Sequence, residues 1–196
     1  MTVEQLAQWA PFERVERHAA PALRSWLAEP GLLTARIRAL CGDRMRFRML
    51  GPLRSVRLSG EIQARLGQHD ERGLLREIEF CCGIERVVYA QTVLPDSTLQ
   101  RYPWLRDLGD SPIGESLRQA SEPLEREPLE YAALPPDSAL ALAASDATPE
   151  AQQATLWARR AVYRLGGQPI LVQEVFLPAL LRVQAEAAHI STRSAP

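Results

Sequence analysis

Two charges set among apolar side chains invite a chemical reading. In "GGQPILVQEVFLPAL", Gly166 to Leu180, the lone acid is Glu174. Side chains of a β-strand alternate between faces, so a strand here groups Glu174 with Ile170, Val172 and Phe176. In "LLREIEFCCG" the same alternation groups Arg76 with Leu74, Ile78 and Phe80, and turns Glu77 and Glu79 the other way. Burying an unpaired ion costs roughly several kcal/mol, so each charge requires compensation. Two arrangements supply it. Arg76 and Glu174 neutralise each other as a buried ion pair, or both line a cavity and face a ligand. In the second case the guanidinium is a planar fork for a carboxylate and the glutamate serves a hydroxyl or a proton, which suits a small anionic ring. Arg86, Arg160 and Arg164 alternate with polar-looking neighbours and are expected on a solvated face.

Strands and short helices must position these charges. "LLREIEFCCGIERVVYAQTVLP" reads as a β-hairpin, Leu74 to Cys82 and Glu85 to Leu94, turning around Gly83. "LWARRAVYRL" and "QPILVQEVFLP" read as a second, turning at Gly166 and Gly167. Arms of the first hairpin, at ~3.3 Å per residue, span about 30 Å and belong in the middle of a sheet. "RMRFRML" alternates as a half-buried strand with its arginines toward water, and a further strand is expected around Val56. "REPLEYAAL" is another candidate strand. "APALRSWLAEP", ended by Pro30, and "LLTARIRALCGD", with Leu33, Ile37 and Leu40 on one face and Gly42 as its stop, read as packing helices. "DSTLQRYPWLRDLGDSPIGESLRQ" reads as two short helices separated by a turn from Gly109 to Pro112. Residues 135–155 read as an exposed, partly helical excursion, and 185–196 as a polar tail that frays. The fold class is α+β: a single antiparallel β-sheet built from hairpins, flanked by short helices, with an internal ligand cavity, in one domain over 1–196.

Composition removes several classes of function. With 46% apolar and 24% charged residues and a formal net charge of −1, the chain resembles an ordinary globular domain and offers no electrostatic basis for nucleic acid. No apolar run approaches the ~20 residues of a membrane helix, and the N-terminal residues lack the order of a signal peptide, so a cytoplasmic location is expected. Cys41, Cys81 and Cys82 match neither a disulfide framework nor a zinc spacing, which implies a reducing compartment. His18, His69 and His189 are scattered, read as solvated surface residues, and suggest no metal site. All 23 basic residues are Arg. Without Lys there is no Schiff base, no lysine-anchored pyridoxal phosphate and no Walker-type phosphate loop.

The ordered segments "LLTARIRAL", "LLREIEFCCG", "QTVLPDSTL", "LGDSPIGESL" and "LWARRAVYRLGGQPILVQEVFLP", from about Trp26 to Pro178, resemble bacterial chorismate lyase. That resemblance implies elimination of pyruvate from chorismate to give 4-hydroxybenzoate, the entry compound of ubiquinone synthesis, by a monomeric enzyme without metal or cofactor. It implies that Arg76 and Glu174 are catalytic and that Leu33, Arg76, Ile113 and Glu174 bind substrate, Leu33 and Ile113 chiefly through the backbone. The family's Met and Leu are replaced by Leu33 and Ile113, which preserves the amides and alters the pocket wall. Gln91 stands where the family has an Arg, which puts an electrostatic role there in doubt. The runner-up is a non-catalytic, aromatic-acid-binding sensor domain of the same fold; the roughly 20 residues before the matched region are too few for a helix-turn-helix.

Overall fold

The structure, a computed structural model, describes residues 8–145 and 155–193. Helices α1 (Phe12–Val15), α2 (Pro21–Leu27) and α3 (Leu33–Cys41) come first. Pro21 opens α2 at a position where its missing N–H costs nothing, and Gly42, at φ +54°, ends α3. Strands β1 (Met45–Met49) and β2 (Arg54–Arg57) precede α4 (Gly60–Leu66). The first long hairpin is β3 (Arg72–Cys82) and β4 (Glu85–Pro95), turning through Gly83 at φ +65°. Then follow α5 (Asp96–Arg101), a 3₁₀ turn over Pro103–Asp107, α6 (Ile113–Gln119), β5 (Leu124–Arg126), β6 (Glu130–Ala133) and α7 (Ala139–Ser145). The second hairpin, β7 (Trp157–Leu165) and β8 (Gln168–Phe176), leads into α8 (Ala179–Arg193).

Each alternating segment becomes a strand of one antiparallel sheet ordered β1-β3-β4-β8-β7-β5, with β2 also paired to β3 and β6 to β7. The two hairpins meet through β4 and β8 and occupy the middle. Their register lays side chains in rows across one face: Phe80, Val88, Phe176 and Trp157; then Ile78, Ala90, Glu174 and Arg159; then Arg76, Thr92, Val172 and Ala161. This face is covered in two patches. Leu23, Trp26 and Leu27 of α2, Ile37 of α3 and Leu180 of α8 pack on the first row, while Leu99, Leu105 and Leu117 pack on Leu94, Leu165 and Ile170 farther along. Between the patches the second and third rows lie under the starts of α3 and α6.

The other face carries its own apolar clusters, with Ala141 and Ala144 of α7 against Tyr89, Ala158 and Val175, and Leu66 of α4 against Val93, Val162 and Leu171. Here several expectations need correction. Helix α4 was not foreseen: its start is set by Ser59, whose hydroxyl accepts from the Ile62 N–H, amid a composition with no clear period. Residues 139–145 are not an exposed excursion, because small side chains let α7 sit close on the sheet; 146–154 lie outside the described residues. "REPLEYAAL" divides between β5 and β6, and the tail expected to fray is helical to Arg193, with 194–196 outside the described residues.

Arg86, Arg160 and Arg164 do not face open solvent. Arg160, 6% exposed, lies between Glu130 at 2.9 Å and Glu61 at 2.7 Å; Arg164 meets Glu127 at 2.6 Å; and Arg86 pairs with the fully buried Glu79, which also holds Arg48 at 2.5 Å. Glu79 of β3, Glu130 of β6, Glu127 between β5 and β6 and Glu61 of α4 make burying these arginines tolerable. Cys41 and Cys82, expected to be free thiols, form a disulfide with Cα atoms 5.3 Å apart, since the end of α3 packs beside the end of β3; Cys81 remains a buried free thiol. His18, His69 and His189 are exposed. No helix among the described residues is long and apolar enough to cross a membrane.

Candidate functional site

A cavity of about 490 Å³, counting the space at its mouth, lies between the two helical patches. Its floor is Ile78, Ala90, Thr92, Val172 and Glu174; its cover is Gly31–Thr34 before and in α3, and Pro112–Gly114 before and in α6; Arg159 and Tyr163 close one side. The two covering segments lie close together: a Cβ on Gly114 would stand 2.7 Å from Leu32 Cδ2, so a larger residue there would displace the Leu32 side chain. Leu32 and Pro112 are the N-cap residues of α3 and α6 and supply no side-chain cap. The N–H groups of Leu33 and Ile113, at the first helical position, have no intrahelical acceptor.

An arginine rising from the sheet braces each covering segment. Arg159 donates through Nε to Glu174 Oε2 at 2.5 Å and through Nη1 to the carbonyls of Leu27 and Glu29, at 3.3 and 2.8 Å. Those carbonyls belong to the end of α2 and the connection to α3, where a cation also meets the negative end of the helix dipole. Arg76 donates through Nη2 to the carbonyls of Gly109 and Ser111, at 2.8 and 2.7 Å, in the turn before α6.

Of the two sequence alternatives, the mutual ion pair is not formed. Glu174 pairs with Arg159, its direct neighbour across β7 and β8. It does not pair with Arg76, because Ala90 and Thr92 on β4 separate β3 from β8, putting the two residues roughly 10 Å apart across the sheet and a row apart along it. Arg76 is 1% exposed and forms no salt bridge among the described residues; its Nε and Nη1 are buried without a hydrogen-bond partner. Burial drives its pKa down to about 10, against the pull of nearby Asp110, and it stays cationic at neutral pH. Leu33, Ile113 and Glu174 line the cavity itself; Arg76 stands at its edge, opposite the lining residue Thr92. Gln91 lies on the other face of the sheet, donating to the Tyr89 hydroxyl at 2.8 Å, and does not line the cavity.

Arg159 and Tyr163 escaped the sequence reading. Alternation in "LWARRAVYRL" does place them with Trp157 and Ala161 on the face of Glu174, but two adjacent arginines, one for each face, obscure which is inward. Burial, then the charge of Glu174, raises the Tyr163 phenol above its usual range, so it is a neutral O–H donor at the cavity.

A family model described as chorismate lyase matches residues 3–186. A probable chorismate pyruvate-lyase of Azoarcus sp. (strain BH72) is 39% identical over 184 residues, covering 86% of this chain and 90% of that protein. Another from Dechloromonas aromatica (strain RCB) is 36% identical over 162 residues, covering 82% of this chain and 89% of that one. Among solved structures, the C-terminal domain of the histidine utilization repressor from Pseudomonas syringae pv. tomato str. DC3000 superposes with a TM-score of 0.50 at 13% identity, over 69% of this chain and 93% of that one, a likeness of fold alone.

Proposed function

The chain belongs to the chorismate lyase family, and on that premise we propose that it converts chorismate to 4-hydroxybenzoate and pyruvate, with the cavity beside Arg76 and Glu174 as the active site. In this reaction the C4 hydrogen leaves the ring, the C3–O bond to the enolpyruvyl group breaks, the ring becomes aromatic, and the departing fragment gains a proton at its methylene carbon to become pyruvate. Aromatisation drives the elimination. The protein has to bind the anion, exclude water and orient the ether and the C4 hydrogen.

Arg76 carries the reading. A buried guanidinium with two unpartnered nitrogens and no salt bridge among the described residues is costly in the free protein and is satisfied by a carboxylate arriving from the cavity. It takes the ring carboxylate. Glu174, held by Arg159 through Oε2, turns toward the opposite, hydroxyl-bearing end of the ring. The free N–H groups at the starts of α3 and α6, at Leu33 and Ile113, add donors over the ring, and Ile78 and Val172 supply its apolar bed. The product would feed ubiquinone synthesis.

The test is to supply chorismate and follow pyruvate and 4-hydroxybenzoate together, before and after exhaustive chelation. Equimolar release, unchanged by the chelator, is expected. Binding of chorismate with neither product would leave a ligand-binding module in place of an enzyme, and loss of turnover restored by one divalent ion would overturn the cofactor-free mechanism.

A further inference from the structure

Chorismate is a dianion, and Arg76 accounts for only one of its carboxylates. The second sits on the three-carbon side chain, attached to the ring carbon next to the one bearing the hydroxyl, so it lies toward Glu174 and away from Arg76. Arg159 is already neutralised there by Glu174 and occupied by backbone carbonyls. Beyond Glu174 the sheet continues through β7 to β5, where Arg126 stands directly opposite Tyr163 and on the same face. Arg126 is exposed and forms no salt bridge among the described residues, and its guanidinium is close enough to interact with the Tyr163 hydroxyl. Tyr163 lines the cavity.

We propose that Arg126, together with the Tyr163 hydroxyl, is the subsite for the side-chain carboxylate of the substrate. Arg76 on β3, Glu174 on β8, Tyr163 on β7 and Arg126 on β5 then share one face and follow one another in strand order, as ring carboxylate, ring hydroxyl and side-chain carboxylate. Glu174 lies a row to one side of Arg76 and the Tyr163–Arg126 pair a row to the other. The charges balance: two guanidiniums without a salt bridge among the described residues, Arg76 at the edge of the cavity and Arg126 beside its lining residue Tyr163, receive a substrate with two carboxylates. The asymmetry in burial fits the chemistry as well. Arg76 is enclosed and holds the ring throughout, whereas Arg126 opens to solvent, where the three-carbon fragment must depart. The product keeps only the carboxylate that Arg76 binds, so it gains nothing from Arg126.

This inference rests on the proposed function, yet its test does not require turnover. Binding of 4-hydroxybenzoate, a monoanion, is compared with that of 3-(carboxymethoxy)-4-hydroxybenzoate, which carries a second carboxylate at the position of the departing group, in the wild type and in Arg126→Gln. The substitution should weaken the dianion about tenfold, with an effect that shrinks as salt is added, and leave 4-hydroxybenzoate within twofold. Tyr163→Phe should show the same selectivity to a smaller degree. With chorismate, Arg126→Gln should raise KM more than it lowers kcat. Equal weakening of both ligands, or of neither, would overturn the subsite. Failure of the wild type to release pyruvate from chorismate would overturn the functional reading, and the two binding constants would still decide the role of Arg126.

Discussion

Arg159 and Glu174 face each other across β7 and β8 with Nε and Oε2 2.5 Å apart, and the remaining donors of Arg159 reach the backbone that leads into α3. The pair is therefore a joint between the floor of the cavity and half of its cover. Arg159→Met removes the only cation within salt-bridge distance of Glu174 among the described residues and frees the carbonyls of Leu27 and Glu29. The free protein should lose roughly 3 kcal/mol in denaturant melts. Adding Glu174→Leu should recover about half of that loss, because the stranded charge goes with it. Strict additivity of the two changes would show that the pair is not coupled.

Arg76 should behave in the opposite way. Its Nε and Nη1 are unsatisfied in the free protein, so Arg76→Met exchanges a desolvation penalty for apolar contact and gives up only the two bonds to Gly109 and Ser111. Stability without ligand should stay within about 1 kcal/mol of the wild type, while the rise in Tm caused by 4-hydroxybenzoate should vanish. Arg76→Lys should also lose most turnover, since an ammonium cannot reproduce the fork. A folded Lys variant with near-normal activity, or a Met variant that melts far below the wild type, would make Arg76 a structural residue.

The reverse face sets the response to acid. Burial alone would raise the pKa of Glu77, but hydrogen bonds from Tyr89 and Arg54 outweigh it and hold the carboxyl below its ordinary value; for Glu127 the same contest is won by Arg65 and Arg164. Carboxylates depressed in the folded state contribute stability that is fully present above about pH 4.5 and is lost as pH falls through their folded values. Urea midpoints should be flat from pH 7 to about 5 and fall below that. A midpoint that rises on acidification would contradict these ion pairs.

Alternation made the sheet legible. Period-two patterns define both hairpins to within two residues and turn Arg76 and Glu174 to one face. Neighbour relations between distant segments were not legible, because alternation says which face a side chain takes and nothing about which strand lies beside it. Pairing of β4 with β8, and thus the insertion of Ala90 and Thr92 between the two charges, is a property of the sheet order. The same ignorance hid Arg159 as the partner of Glu174, the glutamates over Arg160 and Arg164, and the approach of Cys41 to Cys82, which are 41 residues apart. Ala141 and Ala144 read as featureless because alanine contributes little to any periodic signal, although small size is what seats α7 on the sheet.

Glu174→Gln separates a reacting carboxylate from a structural counter-ion. The amide keeps an acceptor for Arg159 Nε, and Arg159 retains its bonds to Leu27 and Glu29, so the guanidinium is not left bare. Glu174 is also 18% exposed at the cavity, where solvent softens the loss of its charge. The free protein should therefore lose only about 1 to 2 kcal/mol, short of the roughly 3 to 5 kcal/mol that follows when a fully buried ion loses its partner. If Glu174 takes or delivers the proton at C4, kcat should fall by roughly 10² to 10⁴ in protein that remains folded. If it only orients the ring hydroxyl, the fall should be smaller, and benzoate and 4-hydroxybenzoate, which the wild type should tell apart, should bind the variant alike. Ligand-free denaturant melts beside steady-state kinetics decide the matter. A large stability loss with activity in proportion to the surviving folded fraction would reduce Glu174 to the counter-ion of Arg159.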